Sequence, residues 1–437
     1  MKRRQFLKTA SAAGLGVATT HSHLGRLVGS PNDTVTVAVM GLNGRGSVLA
    51  KVFARTAGAA VAYTCDVDAL VLATATAAVA ARQARAPRAL GDFRRALDDP
   101  QVDALVIAAP DHWHAPAAIL AMQAGKHVYV EKPCGHNPHE GELLVAAQRK
   151  YRRVVQMGTQ QRSAPRTIDI VQAIREGAIG KPYLARTWYA NTRGSIGRGR
   201  PAPVPANLDY ELWQGPAPHT PYRDNVIHYN WHWFHRWGTG EICNNGTHEL
   251  DIARWALGVE YPVAVRSVGG RYHFDDDWEF PDTQEASFEF ADGTIIIWQG
   301  QSCNGLATFG RGRGTAILGT AGSVVMDRDG YTVYDLHNKV VRQSLAAQSG
   351  DGLNPSADDE MTARHIANFV DAIRSGGALH QPIDAGAKSV LLCHLGNIAQ
   401  STGRALRIDP ATGRITGDEA AMQLWGREYA PGWAPAV

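Results

Sequence analysis

Between residues 34 and 158 short apolar runs alternate with helix-like stretches, and no other feature of the chain restricts its fold so strongly. TVTVAVMG (34–41), AAVAYTCDVD (59–68), DALVIAAP (103–110), HVYVEKP (127–133) and VVQMG (154–158) each read as a buried strand. RGSVLAKVFART, the alanine-rich 69–85, HAPAAILAMQAGK and 138–150 read as the helices between them. A helix after every strand carries the chain back over the sheet, so the strands run parallel and both faces are covered. The expectation is an α/β chain that opens with a doubly wound parallel sheet.

After residue 160 the texture changes. APRTIDIVQAIREGAIGKP reads as a helix, and a polar, aromatic, proline-rich stretch follows from about 188 to 237. A helix near 246–257 precedes strands that turn at Asp292-Gly293 and Asp329-Gly330, dipeptides suited to tight hairpins. Two helices, roughly 358–375 and 385–402, close the pattern. Successive hairpins with flanking helices predict an α+β second domain on a largely antiparallel open sheet. At 437 residues the chain is too long for one ordinary core. We therefore expect a first domain over 31–158 and a second over 159–437.

Residues 1–30 stand apart. They hold Lys2, Arg3, Arg4, Lys8 and Arg26 with no acid, followed by a short, weakly apolar run too short to span a membrane. KRRQFLK has the form of a twin-arginine (Tat) export signal, which predicts a periplasmic or secreted protein that meets the Tat machinery already folded. Without this segment 39 basic residues face 41 acidic ones, a balance that gives no footing to a nucleic-acid partner. Five scattered cysteines without a C-x-x-C pair argue against a disulfide framework and against a zinc site.

The first strand runs into VAVMGLNGRGSVL, which puts Gly41, Asn43, Gly44, Arg45 and Gly46 at a strand-to-helix turn. Asn43 stands where a dinucleotide fingerprint has its second glycine, and asparagine tolerates positive φ better than other side chains. Gly46 allows close helix packing, and the helix start offers amides to a pyrophosphate. Asp66 ends the second strand, twenty residues after Gly46. A carboxylate there accepts ribose hydroxyls and repels a 2′-phosphate, and CDVDAL has no Arg or Lys beside it, so NAD is favoured over NADP. The first domain is thus expected to be a Rossmann NAD(P)-binding domain. Pro110, His112, Trp113 and His114, after strand 103–110, are expected to line the cofactor with Glu131 and Lys132.

The stretch AAPDHWHAPAAILAMQAGKHVYVEKP (108–133), with the GLNGRG turn, GTGEICNNGTHELDIARWALG (238–258), HIANFVDAIRSG and LCHLGNIA, resembles the glucose–fructose oxidoreductase/inositol dehydrogenase/rhizopine-catabolism (Gfo/Idh/MocA) family. The exported members look most similar. Lys132 lies at the carboxyl end of a parallel strand, where ligands bind in such sheets. The resemblance makes it the catalytic lysine of an EKP motif, with a cis bond before Pro133. The family also places an acid and a histidine four residues apart on the substrate. His248 fills the histidine position and is the candidate acid/base. Asn244 fills the acid position, where an amide orients a hydroxyl without taking its proton. Asp251, one helical turn on, is expected to orient His248.

Trp231, Trp233 and Trp237 with His228, His232 and His235 suit the faces and hydroxyls of a sugar. Arg162, Tyr189 and Trp233 are the named substrate candidates beside Asn244 and His248; Trp188, Asn191 and Arg193 are further ones. The spacing of these histidines and Glu241 matches no standard metal site, so no metal is expected.

Three functions stay open. The first is an NAD(P)-dependent oxidoreductase on a sugar, cyclitol or glycoside, holding its cofactor tightly and recycling it. The second is a redox-neutral NAD-dependent glycosidase that oxidises, eliminates and reduces. The third is a non-catalytic sugar-binding protein. The resemblance also implies a homo-oligomer.

Overall fold

The computed structural model describes residues 34–345 and 360–437, so the export-signal reading of 1–30 lies outside the described residues. The first sheet holds β1 (Val35–Met40), β2 (Ala59–Cys65), β3 (Arg88–Leu90), β4 (Ala104–Ile107), β5 (His127–Val130) and β6 (Val155–Met157). They run in the order β3-β2-β1-β4-β5-β6, all parallel. β3 escaped the sequence reading because this three-residue edge strand is largely exposed and carries no apolar run. The order reverses between β1 and β4, which opens a crevice at their carboxyl ends.

One face of this sheet is covered by helices Asp111–Gln123 and Pro138–Tyr151. The other is covered over β1 and β2 by helices Arg45–Phe53 and Ala69–Ala80. The helix Glu360–Ser375 completes that second face with Ile366, Phe369 and Val370. Phe369 meets Phe53 edge-on at 6.4 Å between ring centroids and Tyr129 at 5.7 Å. The expected boundary at 158 groups this helix with the second domain. Its buried side chains sit in the first core, because the local crossover helices leave that part of the sheet bare.

The second sheet has nine strands: β7 (Pro182–Ala190), β8 (Ala264–Gly270), β9 (Thr283–Glu289), β10 (Ile295–Gln301), β11 (Arg313–Gly319), β12 (Ser323–Met326), β13 (Gly330–Tyr334), β14 (Val340–Leu345) and β15 (Leu406–Arg407). Their order is β14-β13-β12-β11-β7-β10-β9-β8-β15. All pairs are antiparallel except β7 with β10. Both expected hairpins form, β9 to β10 and β12 to β13. The central strand β7 was hidden where the aromatic stretch begins. Helices Thr247–Leu257 and Ile383–Thr402 pack on the sheet with Leu250, Phe288, Ile296, Trp298 and Leu392 in the core. All five cysteines are unpaired. Among the described residues no helix is long and apolar enough to cross a membrane.

Candidate active site at the switch point

The glycine turn after β1 is set by close approach. A Cβ on Gly41 would lie 2.5 Å from the Ala109 amide nitrogen, and one on Gly46 would lie 1.6 Å from the Gly41 carbonyl oxygen. No side chain fits at either position. Gly44 differs: its φ is +58°, yet a Cβ there would meet nothing within 4 Å. The left-handed residues of the turn are Gly41 and Gly44, and Asn43 keeps ordinary negative φ, contrary to expectation. Gly44 absorbs the backbone demand one residue later, which frees Asn43 to be any exposed residue.

Asp66 stands beside this turn. Its carboxylate accepts from the amides of Leu42 at 2.6 Å and Asp68 at 2.9 Å, and burial raises its pKa. Arg45 begins the helix and donates through Nε to Glu131 at 2.8 Å. Glu131, buried before Lys132, also accepts from Gln160 at 3.1 Å.

The residues after β4 turn inward. His112 Nε2 and Trp113 Nε1 each lie 3.0 Å from the Trp213 carbonyl oxygen. Burial pushes the His112 pKa down to about 3. Trp113 packs edge-on against Phe93 and Trp433. His114 has one ring nitrogen 2.7 Å from the Ala109 carbonyl oxygen and the other on the Pro133 carbonyl. The expected cofactor-lining role of His112, Trp113 and His114 gives way to bracing: these contacts tie Pro110 and the ends of β4 and β5 to the interior. The bond between Lys132 and Pro133 is cis.

Lys132 reaches across to the second domain. Its Nζ donates to the Asn244 carbonyl oxygen at 2.6 Å and lies 3.3 Å from Asn244 Oδ1. Asn244 sits in a single wide turn, Ile242–Gly246, that leads into the helix Thr247–Leu257. The other end of its amide, Nδ2, donates to Glu241 Oε1 at 3.3 Å. Glu241 in turn accepts from Arg193 Nε at 2.8 Å, Ser302 Oγ at 3.0 Å and Asn245 Nδ2. Asn244 therefore bridges the lysine to a buried carboxylate three residues away. From the sequence Glu241 stands out only beside histidines whose spacing matches no metal site, although its place in GTGEICNN is the available signal.

His248 is buried, and its imidazole makes no hydrogen bond to the described residues. Desolvation drives its pKa well below the usual histidine range, and Arg328, Lys132 and Arg313 push the same way. It is a neutral imidazole with a free proton-accepting nitrogen. Burial also lowers the Lys132 pKa, against the opposing pull of Glu131 and Asp111.

Asp251 does not orient His248. It binds Arg162 through two bonds of 2.8 Å and accepts from Gln381 at 2.8 Å and Ser389 at 2.6 Å. Burial alone would raise its pKa, and Arg162 brings it below the ordinary value. The expected substrate role of Arg162 is corrected with it: the guanidinium is buried, spent on this pair and laid against Trp255. Trp233 is likewise internal, stacked on Trp278 at 3.9 Å. Trp231 and Trp237 join a separate core cluster. Tyr189, at the end of β7, accepts from Asn191 at 2.7 Å, and the face of its ring lies by Arg193. Arg313 had no sequence signal. It reaches from β11 to Glu249 at 2.7 Å and Asn245 at 3.3 Å.

Comparisons with known proteins fit this architecture. Residues 35–159 match the oxidoreductase family's NAD-binding Rossmann fold, and residues 185–332 match its C-terminal alpha/beta domain. A Glycosyl hydrolase family 109 protein of Saccharopolyspora erythraea is 33% identical over 171 residues, covering 35% of this chain and 37% of its own length. An inositol 2-dehydrogenase 2 of the same organism is 27% identical over 240 residues, covering 55% of this chain and 58% of its own length. The chain thus matches less than two thirds of either relative. Levoglucosan dehydrogenase in complex with NADH shares the fold with a TM-score of 0.66 at 19% identity, over 86% of this chain and 99% of that one. So does an aldose-aldose oxidoreductase from Caulobacter crescentus, TM-score 0.65 at 19% identity, over 86% and 100%. With more than half of its length matched by the two domain profiles, the chain belongs to the Gfo/Idh/MocA family of NAD-binding oxidoreductases.

Proposed function

We propose that this protein oxidises a ring hydroxyl of a sugar, cyclitol or glycoside to the ketone with NAD, or reduces the ketone with NADH. The observation that carries the reading is the pairing of Lys132, seated by the Asn244 carbonyl, with the neutral, unbonded imidazole of His248. The glycine turn fits the cofactor: its open side at Gly44 admits a ligand where a Cβ would also fit, and Asp66 waits at the end of β2. NAD, when bound, supplies the hydride acceptor. Lys132 donates to the reacting oxygen and stabilises negative charge there. His248 takes the hydroxyl proton as base. The cations around it make the resulting imidazolium unfavourable, so the proton is released to solvent and the neutral base is restored. Asn244 holds the lysine and ties it to Glu241. The names of the relatives, inositol 2-dehydrogenase and levoglucosan dehydrogenase, support a polyhydroxylated ring as substrate.

The test is His248→Asn against a panel of glycosides and cyclitols, following NADH and products together. Turnover should fall about 10²–10⁴-fold, the span of one general base, with bound dinucleotide unchanged. Wild-type turnover in the variant would remove His248 from the mechanism. Ligand binding that persists in Lys132 and His248 variants, with no turnover in the parent, would instead favour a sugar-binding protein.

The glycosidase reading is supported by the family 109 relatives. Oxidation of a ring carbon acidifies its neighbour, elimination expels the aglycone, and the hydride returns. Release of aglycone without net NADH would select it over simple dehydrogenation. Export through the twin-arginine route favours such closed cycles, because free NAD is scarce outside the cytoplasm. We therefore propose a cofactor loaded before export and held tightly. Denaturing mature protein purified without added nucleotide should release close to one NAD per chain. A cofactor-free product that turns over only with excess NAD would overturn tight retention. Self-association into a homo-oligomer is carried forward, with light scattering as its check.

A further inference from the structure

We infer that His273, Asp282 and Cys303 form a divalent-cation site, with zinc as the ion their donors suit. One ring nitrogen of His273, a carboxylate oxygen of Asp282 and Cys303 Sγ all lie within 4.8 Å of one another. The three come from two loops: His273 and Asp282 lie between β8 and β9, and Cys303 follows β10. No C-x-x-C spacing marks the set, which is why the sequence argued against zinc.

The geometry is close to what a small tetrahedral ion needs. His273 Nδ1 and Asp282 Oδ1 are 3.2 Å apart. Zinc bonded to nitrogen and oxygen at ~2.0–2.2 Å sets two such ligands about 3.3 Å apart at the tetrahedral angle. A thiolate at ~2.3 Å from the ion would stand roughly 3.6 Å from each. Cys303 has to close by no more than about an ångström, within reach of a χ1 change on a loop.

The carboxylate is prepared for the role. Asp282 Oδ2 is held by the amides of Tyr272 at 2.8 Å and His273 at 3.2 Å, with Arg271 Nε at 3.5 Å. Oδ1 is left facing His273, with Thr283 Oγ1 donating at 2.9 Å. One oxygen fixed by the loop and one turned to the cluster is the supporting arrangement of a ligating carboxylate. Arg271, the opposing positive charge, is also bound to Asp276, Phe274 and Trp278. Imidazole, carboxylate and thiol together suit zinc better than magnesium or calcium, which prefer oxygen alone. Burial and the Asp282 charge push the Cys303 thiol up to about 11, so binding must break its S–H bond. The sulfur–metal bond replaces it, and the proton leaves to solvent.

Such an ion would fasten a working part of the fold. The loop it holds carries Trp278 onto Trp233 and, through Asp276 and Asp277, accepts from Ser195, Ile196 and Gly199. Cys303 neighbours Ser302, which donates to Glu241.

The test uses untagged full-length protein, stripped with EDTA and freed of it, and titrated in separate samples with zinc and with cobalt(II). Wild type should bind one equivalent of zinc, raise its Tm on binding, and show a thiolate-to-cobalt absorption band. Cys303→Ser should lose the band, and the exposed His273→Ala should weaken zinc by about ten-fold or more. No uptake by the wild type would overturn the site and leave an ordinary His–Asp hydrogen bond. Equal uptake by wild type and both variants, or binding without the band, would place any metal elsewhere and overturn it equally.

Discussion

The two walls of the candidate site are made differently. On the first-domain side backbone shape decides: the Ala109 backbone closes in on Gly41, and the Gly41 carbonyl on Gly46. On the second-domain side polar bonds decide, and apart from the Asn244 and Asn245 contacts to Glu241 the partners are distant in sequence. Lys132 binds Asn244 from 112 residues away, Glu241 gathers Arg193 and Ser302 from 48 and 61 residues away, and Asp251 holds Ser389 across 138. A wall of backbone shape tolerates few residue types yet needs few partners. A wall of buried polar bonds admits many sequences, provided every partner is supplied.

The contrast is sharpest at Lys132, which spans both walls. Lys132→Met should lower turnover about 10²–10⁴-fold, in the range of a lost proton-transfer or oxyanion group, and leave the unfolding midpoint nearly unchanged. A stability loss as large as the activity loss would make the lysine a strut instead. Next comes Asp251→Ala, which leaves Arg162 charged, buried and unpaired and should cost ~3–5 kcal/mol in denaturant unfolding. Turnover per folded molecule should survive. An unchanged midpoint would break the claim that this wall stands on its ion pairs. On the other wall, Asp66→Asn should raise the KM for NAD about tenfold, as loss of charged hydrogen bonds worth ~1.5–3 kcal/mol implies, and narrow the preference over NADP. The smallest effect concerns pH. His248 has its pKa lowered by burial and by Arg328, so it remains the base form below the ordinary histidine value. Its activity should be lost only as pH falls through that depressed folded value, and kcat/KM at about pH 5.5 should stay within about twofold of that at pH 7. An acid limb centred near 6.5 would show a solvated imidazole.

This division explains what the sequence disclosed. Five strands of the first sheet and the glycine turn follow from local patterns, whereas the roles expected of Lys132 and His248 come from the family resemblance. Asn43 departs from expectation because the left-handed demand falls on Gly44 within the same turn. Arg162 and Trp233 read as pocket residues, and Asp251 as the partner of His248, since polar and aromatic side chains look alike whether they meet a ligand or one another. Only their distant partners decide. β3 was too short to show a period, and Arg313 sits 64 residues from the glutamate it binds.

The helix Glu360–Ser375 gives the fold a schedule. Phe369 closes a core that begins at Val35, so the first sheet lacks its last cover until some two hundred residues beyond β6 have been made. At about 5–20 residues per second, that interval is roughly 10–40 s of synthesis. Throughout it, Tyr129 and Phe53 face water or a chaperone. The nascent chain must be guarded longest at its oldest end.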